Sequence, residues 1–434
     1  MSIAPEMRAP TRRDSYARVW RWHFFAGLWV APFGVVLALS GSVYLFNPQI
    51  ERAIQAHMDD GREVATAPLS PDALAAAARA HVGGAELRRY RLPAADHATV
   101  QVEVAARPGE AQLVWVDRGT GEVAYSMQRS SHPMELAKRV HGELLAGEVG
   151  TTLVELAACW MIVLLATGAY LAWPSGRGWL AALRPRLDWG RRAGLRSFHV
   201  ATGLWIGVFA MVFLFSGLPW TNVFGTGLGK VQDWAGAKGP EQEFRVTLQS
   251  APPADPNARE LSLAAIVERA SAARLAAPVE ISPPGGASGV FTVRSMTQYR
   301  PDRVTIHYNR FTGGELMRVT FADQPAFKKA LAIGVTFHEG ALFGAANQLM
   351  GALVALGVVA LCITGPCLWW KRRPRGEWAI PAPPAGAAIG WGPWAVLVPV
   401  AVLLPLVGAS LVLVWAAERA WNALSRRRQL ALDA

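Results

Sequence analysis

Long uninterrupted apolar runs alternate along this chain with polar stretches, two of them several times as long as the runs. The runs at about 20–46, 148–173, 198–219 and 344–370 each reach the roughly 20 helical residues that a bilayer core of about 30 Å demands. They predict four membrane-spanning helices. A fifth apolar stretch, 391–417, is interrupted by Pro405, which predicts either a fifth crossing or a hairpin broken at the proline. The polar stretches 48–140 and 221–335 each open on a helical period and then pass into period-two alternation. In the first, residues 73–80 read as helix and 99–104, 112–116 and 122–126 as strands, with a turn at Asp117-Arg118-Gly119-Thr120-Gly121. The second mirrors it with a helix over 261–273, strands over 290–294 and 303–308, and a turn through 309–314. Thr-Gly or Gly-Gly between alternating runs is a hairpin signal. The pattern therefore predicts an α+β membrane protein, a bundle of four or five transmembrane helices carrying two small α+β domains.

The halves repeat each other. His23 is followed by Gly27-Leu28-Trp29 and Ser40-Gly41, and His199 by Gly203-Leu204-Trp205 and Ser216-Gly217, at the same offsets. His141 precedes Thr167-Gly168, Leu171 and Trp173, and His338 precedes Thr364-Gly365, Leu368 and Trp370, again without a gap. Nine matched positions identify a duplicated unit of helix, polar domain and helix.

Composition and charge then fix the setting. A net charge of +11 would point to nucleic acid in a soluble chain, but 52% of the residues are hydrophobic and the basic ones flank the apolar runs. Arg12, Arg13, Arg18 and Arg21 precede the first run; Arg177, Arg184, Arg186, Arg191, Arg192 and Arg196 lie between the second and third; Lys371, Arg372, Arg373 and Arg375 follow the fourth. By the positive-inside rule all three belong in the cytoplasm of a bacterial inner-membrane protein, with both polar domains in the periplasm and no nucleic-acid partner. The partition reads: basic N-terminus 1–19; first helix 20–46; first domain 47–140; second helix 141–173; Arg-rich loop 174–197; third helix 198–219; second domain 220–335; fourth helix 336–370; linker 371–390; fifth stretch 391–417; tail 418–434. The first run is too long for a signal peptide and no small-x-small site follows it, so it reads as an uncleaved anchor. Cys159, Cys362 and Cys367 all fall within predicted helices, no C-x-x-C or C-x-x-C-H occurs, and no dinucleotide fingerprint is present. Zinc ribbons, covalent c-type haem and disulfides in the polar domains are excluded.

Because both halves cross the membrane in the same sense, His23 and His199 lie at one depth and His141 and His338 at another. A histidine pair at equal depth can supply both axial ligands of a haem iron. Gly27 and Gly203, one turn beyond the first pair, would let a flat macrocycle approach the backbone. Arg18, Arg21 and Arg196 on one side, and Lys138, Arg139, Lys328 and Lys329 on the other, could hold propionates. The same histidines could instead anchor at the interface, form a polar network or bind another metal; zinc or copper would want further ligands, and Glu143 and Glu339 stand near the outer pair. His57, His81, His97, His132 and His307 have no repeat partner and read as solvated. Glu155 reads as a functional intramembrane charge or an interfacial one. Trp29, Trp160 and Trp205 could pack on a macrocycle or face lipid. Arg88, Arg89, Arg91, Arg300 and Arg303 read as solvated charges that could grip a substrate, and Asn347 and Gln348 give slender support to a transporter. Counted along one continuous helix, His141 stands about 48 Å from Trp173.

These residues resemble the PepSY-associated transmembrane proteins, a family that includes inner-membrane ferric-siderophore reductases. The likeness covers about 16–373 and rests on Arg21-Trp22-His23, Gly27-Leu28, Leu39-Ser40-Gly41, His141 and the two Thr-Gly…Leu-x-Trp helix ends. The turns at 117–122 and 309–315 look like the closing hairpins of PepSY domains. The resemblance implies two haems b with His23, His199, His141 and His338 as ligands. It also implies reduction of a ferric siderophore or similar ferric chelate to release Fe(II) in iron acquisition. Electrons would come from a partner, membrane quinol or a flavoprotein. The alternative is a non-enzymatic sensor or regulator that binds peptide or protein in the periplasm. Phe198 before His199 and the variable fifth stretch depart from the family pattern.

Overall fold

The structure, a computed structural model, describes residues 12–107, 109–173, 179–186, 188, 190–237, 239–240, 248–250, 259–286, 288–373 and 398–432. In chain order its elements are α1 (Arg12–Leu45), α2 (Asn47–Asp59), α3 (Pro71–His81), β1 (Glu86–Arg91), β2 (Thr99–Ala105), β3 (Ala111–Asp117), β4 (Val123–Gln128), α4 (Pro133–Glu143), α5 (Gly147–Ala172), α6 (Trp179–Leu183) and α7 (Arg192–Gly217). There follow α8 (Val223–Trp234), α9 (Leu263–Ala272), β5 (Val279–Ser282), β6 (Val290–Ser295), β7 (Thr305–Asn309), β8 (Glu315–Val319), α10 (Ala326–His338), α11 (Ala345–Trp370) and α12 (Pro405–Leu432). They divide into a helical unit (Met1–Ser42, Val140–Lys230, Ala352–Ala434) and a sheet unit (Val43–Arg139, Val231–Gly351).

In the described residues, four helices are long and apolar enough to cross a membrane: Asp14–Leu45, Gly147–Ala172, Arg192–Trp220 and Ala345–Trp370. At most 33% of each apolar window is covered by protein, so most of that surface is left for lipid. Within the helical unit, small residues set the close approaches. A Cβ on Gly34 of α1 would stand 2.6 Å from Cys362 Sγ of α11 and 2.9 Å from Met161 Cε of α5. One on Gly357 of α11 would stand 2.8 Å from Ile206 of α7. The fifth apolar stretch is helical at 398–403, breaks at Leu404 and restarts at Pro405, as a proline without an N–H requires. The residues before 398 in that stretch lie outside the described ones. Leu404 and Val407 pack on Cys159, Ile162 and Leu218, and Trp160 Nε1 donates to Ser410 Oγ at 3.1 Å.

The sheet unit carries one antiparallel sheet of eight strands, ordered β4-β3-β2-β1-β5-β6-β7-β8. Each repeat supplies four strands, and the two halves join at a seam where Tyr90 pairs with Ile281 and Arg91 with Glu280. One face is the core: Val102, Val114, Ile281, Val293 and Ile306 lie under Leu74 of α3 and Ile266 of α9. The helices are tied at their N-termini. Ser70 and Ser262 cap α3 and α9, and Asp72 of α3 accepts from Leu263 N and Ala264 N of α9 at 2.8 and 2.9 Å. On the opposite face of the first half, Ile54 and Met58 of α2 cover Leu113 and Trp115, which explains why every residue of β2 is buried. Charges cross the seam in a row: Arg89 meets Glu103 at 2.7 Å and Glu280 at 3.7 Å, and Arg91 meets Glu280 and Glu51, each at 3.4 Å. Arg89 and Arg91 of β1 are thus partners of carboxylates on neighbouring elements rather than simply solvated charges, while Arg88 stays exposed beside Glu86 of its own strand.

Both hairpin turns form where alternation breaks. Asp117 Oδ1 accepts from Gly119 N and Thr120 N, and Asn309 Oδ1 from Phe311 N and Thr312 N. Gly121 and Gly313 take the positive φ that each turn needs, +78° and +67°. Burial alone would raise the Asp117 pKa, but the N–H groups of Thr120 and Gly119 and the Arg62 guanidinium outweigh it and hold it below the usual carboxylate range. A carboxyl depressed in the folded state stabilises above its unfolded pKa, about 3.9. That stability is lost as pH falls through the folded pKa. Asp117→Asn is therefore expected to lower thermal stability at neutral pH and to flatten its decline below about pH 4. Parallel acid limbs for the two proteins would contradict this.

Candidate functional site

His23 lies on α1 and His199 two turns into α7, and each imidazole is seated by the neighbouring even-numbered span. His23 Nδ1 is 2.9 Å from Thr167 Oγ1 of α5, and His199 Nδ1 is 2.7 Å from Thr364 Oγ1 of α11. Each threonine hydroxyl already donates its one proton to the carbonyl four residues back, Val163 O at 2.8 Å and Ala360 O at 2.7 Å. It can therefore only accept from the imidazole, so Nδ1 carries a hydrogen. The residue after each threonine is a glycine that the ring lies beside. A Cβ would stand 3.3 Å from His23 Cε1 on Gly168, and 3.7 Å from His199 Cε1 on Gly365. The repeated Thr-Gly pair is thus an imidazole seat, a role that the sequence motif alone did not reveal.

His141 uses the same device on the opposite kind of helix. Its Nδ1 donates to Leu37 O at 2.9 Å and lies 3.3 Å from Ser40 Oγ, while a Cβ on Gly41 would stand 2.9 Å from its Cε1. The repeated Ser-Gly pair of α1 is therefore also a seat. His141 is not on the spanning helix. An elbow separates α4 from α5, with Leu144, Leu145 and Gly147 at φ of +48°, +59° and +58°. Two consecutive leucines in the left-handed region are strained, and such strain persists only where the surroundings impose it. The continuous 141–173 helix expected from the sequence is overturned, and with it the 48 Å separation. His141 meets α1 at Ser40, 17 residues from His23, or about 26 Å along that helix at roughly 1.5 Å per residue.

His338 closes α10 in the sheet unit, ahead of a second elbow at Gly340 and Gly344 with φ of +77° and +57°. Asn347 stitches that elbow, accepting from Leu342 N at 3.2 Å and donating to Phe337 O at 3.0 Å. Gln348 donates to Leu45 O at 2.8 Å. These amides are structural. Glu339 is bound by Arg300 at 2.9 Å. Arg303 beside them has its pKa held down to about 10 by burial and by the Arg300 charge. Neither arginine is a solvated surface charge.

The remaining candidates are placed as follows. Gly27 and Gly203 point their missing side chains at equivalent leucines, Leu164 at 3.8 Å and Leu361 at 3.7 Å. The Arg21 guanidinium lies 5.2 Å over the Phe25 ring, and Arg196 is exposed on α7. Lys138 pairs with Glu135 at 3.8 Å, and Lys329 donates to Ala322 O. Trp29 packs on Phe33, and Trp205, a residue 64% exposed, donates from Nε1 to Leu183 O. Glu155 is neither exposed nor free: it is fully buried, and its two oxygens accept from Val223 N and Phe224 N at 2.8 and 2.9 Å, capping α8. His132 is buried as well, its ring stacked on Trp115 at 6.4 Å and its Nε2 3.7 Å from Glu51. Desolvation lowers its pKa and Glu51 opposes that.

Among the described residues no three His, Cys, Asp or Glu side chains gather where they could hold a metal ion. What the helical unit offers is three imidazoles whose Nδ1 atoms are held, by Thr167, Thr364 and Leu37 O. A family model described as PepSY-associated TM region matches residues 20–372. No curated protein matches the chain.

Proposed function

The chain belongs to the family of PepSY-associated TM regions, and on that premise we propose that it is an inner-membrane haem b oxidoreductase delivering electrons to a periplasmic ferric siderophore or similar ferric chelate. The observation that carries this reading is the double seat, in which Thr167-Gly168 and Thr364-Gly365 orient His23 and His199 with Nδ1 occupied and Nε2 presented. Polar partners of this kind fix a metal-bound histidine's tautomer and orientation. His141, seated on Ser40-Gly41, and His338 are carried as further candidate ligands on the family resemblance. Haem, when bound, supplies one-electron chemistry at a potential set by its ligands and their surroundings. The protein's own part is to hold the imidazoles neutral, keep their rings from rotating and exclude water with apolar helices. The ferric chelate accepts one electron and becomes ferrous; quinol or a flavoprotein supplies it.

The test is to purify the protein in detergent and record oxidised and dithionite-reduced visible spectra with a pyridine haemochrome assay. About two b-type haems per chain are expected from the two ligand pairs. A colourless protein after expression with haem supplied would overturn the reading in favour of a sensor. Thr167→Val, which keeps the side chain's shape but removes the acceptor, is expected to weaken haem retention about 10- to 100-fold. Unchanged retention would leave the threonine only a packing role.

A further inference from the structure

The two copies of the polar domain treat one face of their half-sheets differently. In the first copy, Trp115 of β3 occupies the face turned away from α3, with Leu113 and Met127 beside it and Ile54 and Met58 closing over them. Trp115 is two residues before the turn at Asp117, and His307 is two before the equivalent turn at Asn309. Register confirms the correspondence: Trp115 lies between Gln101 and Tyr125, His307 between Thr292 and Met317. Among the described residues the corresponding place around His307 is bordered by Leu248 but has no counterpart of the Trp115 ring. A cleft of 420 Å³ opens there instead, within the range that holds small organic ligands.

The chemistry of its walls is selective. Arg89, Arg129 and Arg294 face a single carboxylate, Glu280. Arg89 and Arg129 are each engaged by Glu103, at 2.7 and 2.8 Å. Arg294 hydrogen-bonds only weakly to a neutral group, Thr305 Oγ1 at 3.4 Å, while its cross-strand neighbour Glu280 is drawn to Arg89 and Arg91. Thr292 and Ser282 add hydroxyls, and Met296, Met317 and Val290 add an apolar floor. A guanidinium offers two parallel donors to a planar oxyanion, and methionine adapts to an irregular organic body.

We propose that this cleft of the second repeat binds a small organic oxyanion, with Arg294 as its anchoring cation. Duplication supplied two equivalent faces; one is filled by Trp115 and α2, and among the described residues the other is left open beside His307. The site requires neither the imidazole pairs nor electron transfer, so its test stands apart from theirs.

Isothermal titration of the full-length protein in detergent would use citrate and its gallium(III) complex, which cannot be reduced under these conditions. Both are expected to bind, more weakly as salt rises. Arg294→Gln is expected to lose at least ten-fold in affinity with an unchanged melting temperature. His307→Trp, which places in the second copy the residue that fills the first, is expected to abolish binding. Should His307→Trp fail to fold, Arg294→Gln decides the matter alone. Equal affinity in the wild type and Arg294→Gln, absence of citrate binding, or tighter binding of the polycation spermine would each overturn the proposal.

Discussion

His199→Ala protein is expected to leave the membrane with about half of the wild-type haem. His199 would hold the haem iron through its imidazole, and its removal leaves Thr364 Oγ1 without its donor and a hole beside Gly365. His23→Ala should reproduce the loss, because Thr167 and Gly168 seat that ring in the same way. The haem assigned to His141 and His338 should keep its own reduced band in both variants. Added imidazole should restore part of the lost signal by entering the hole, which a merely unfolded protein would not permit. If His199→Ala and His23→Ala both retained two haems with unaltered spectra, the pairing of these residues would be wrong.

The second large effect is on stability. Glu155→Ala removes both acceptors from the first turn of α8, leaving Val223 N and Phe224 N unpaired beside a fully buried site. Unsatisfied donors cost about 1–3 kcal/mol each, and the helix N-terminus loses its facing carboxyl as well. A fall of about 3 kcal/mol in stability is expected, readable as a lowered melting temperature in detergent. Glu155→Gln, which keeps only one acceptor oxygen, should fall between. The opposite pattern, wild-type melting with lost ferric reduction, would show that Glu155 serves the reaction rather than the fold.

The long apolar runs and the nine repeated positions were enough to place the four spans, because lipid leaves a helix few ways to satisfy its backbone. The hairpins at Asp117 and Asn309 were legible because Asx turns and positive-φ glycines leave a local signature. What escaped was everything decided between segments. β1 reads Glu-Leu-Arg-Arg-Tyr-Arg, and its arginines look solvated until Glu103 and Glu280 lie across from them. β5 has only four residues, so the seam that joins the two halves is invisible locally. The elbow at Leu144-Leu145 is written in residues that favour helix, and only tertiary packing turns them left-handed. Thr167 and Ser40 were visible as repeats, but their common purpose appears only when an imidazole stands beside each. His132 looked solvated because its burial comes from Trp115, outside its own segment.

The seam between β1 and β5 also bears on how such a protein assembles. A chain carrying one repeat alone would present β1 as a bare edge and hold one member of the His23–His199 pair. Both deficits are cured by a second copy, so a half-length form would be a second-order assembly, its competent fraction rising with its own concentration. Covalent duplication makes that encounter intramolecular and fixes the effective concentration of one half at the other. The full-length chain can therefore assemble at any dilution, and each half is free to diverge without having to remain complementary to itself.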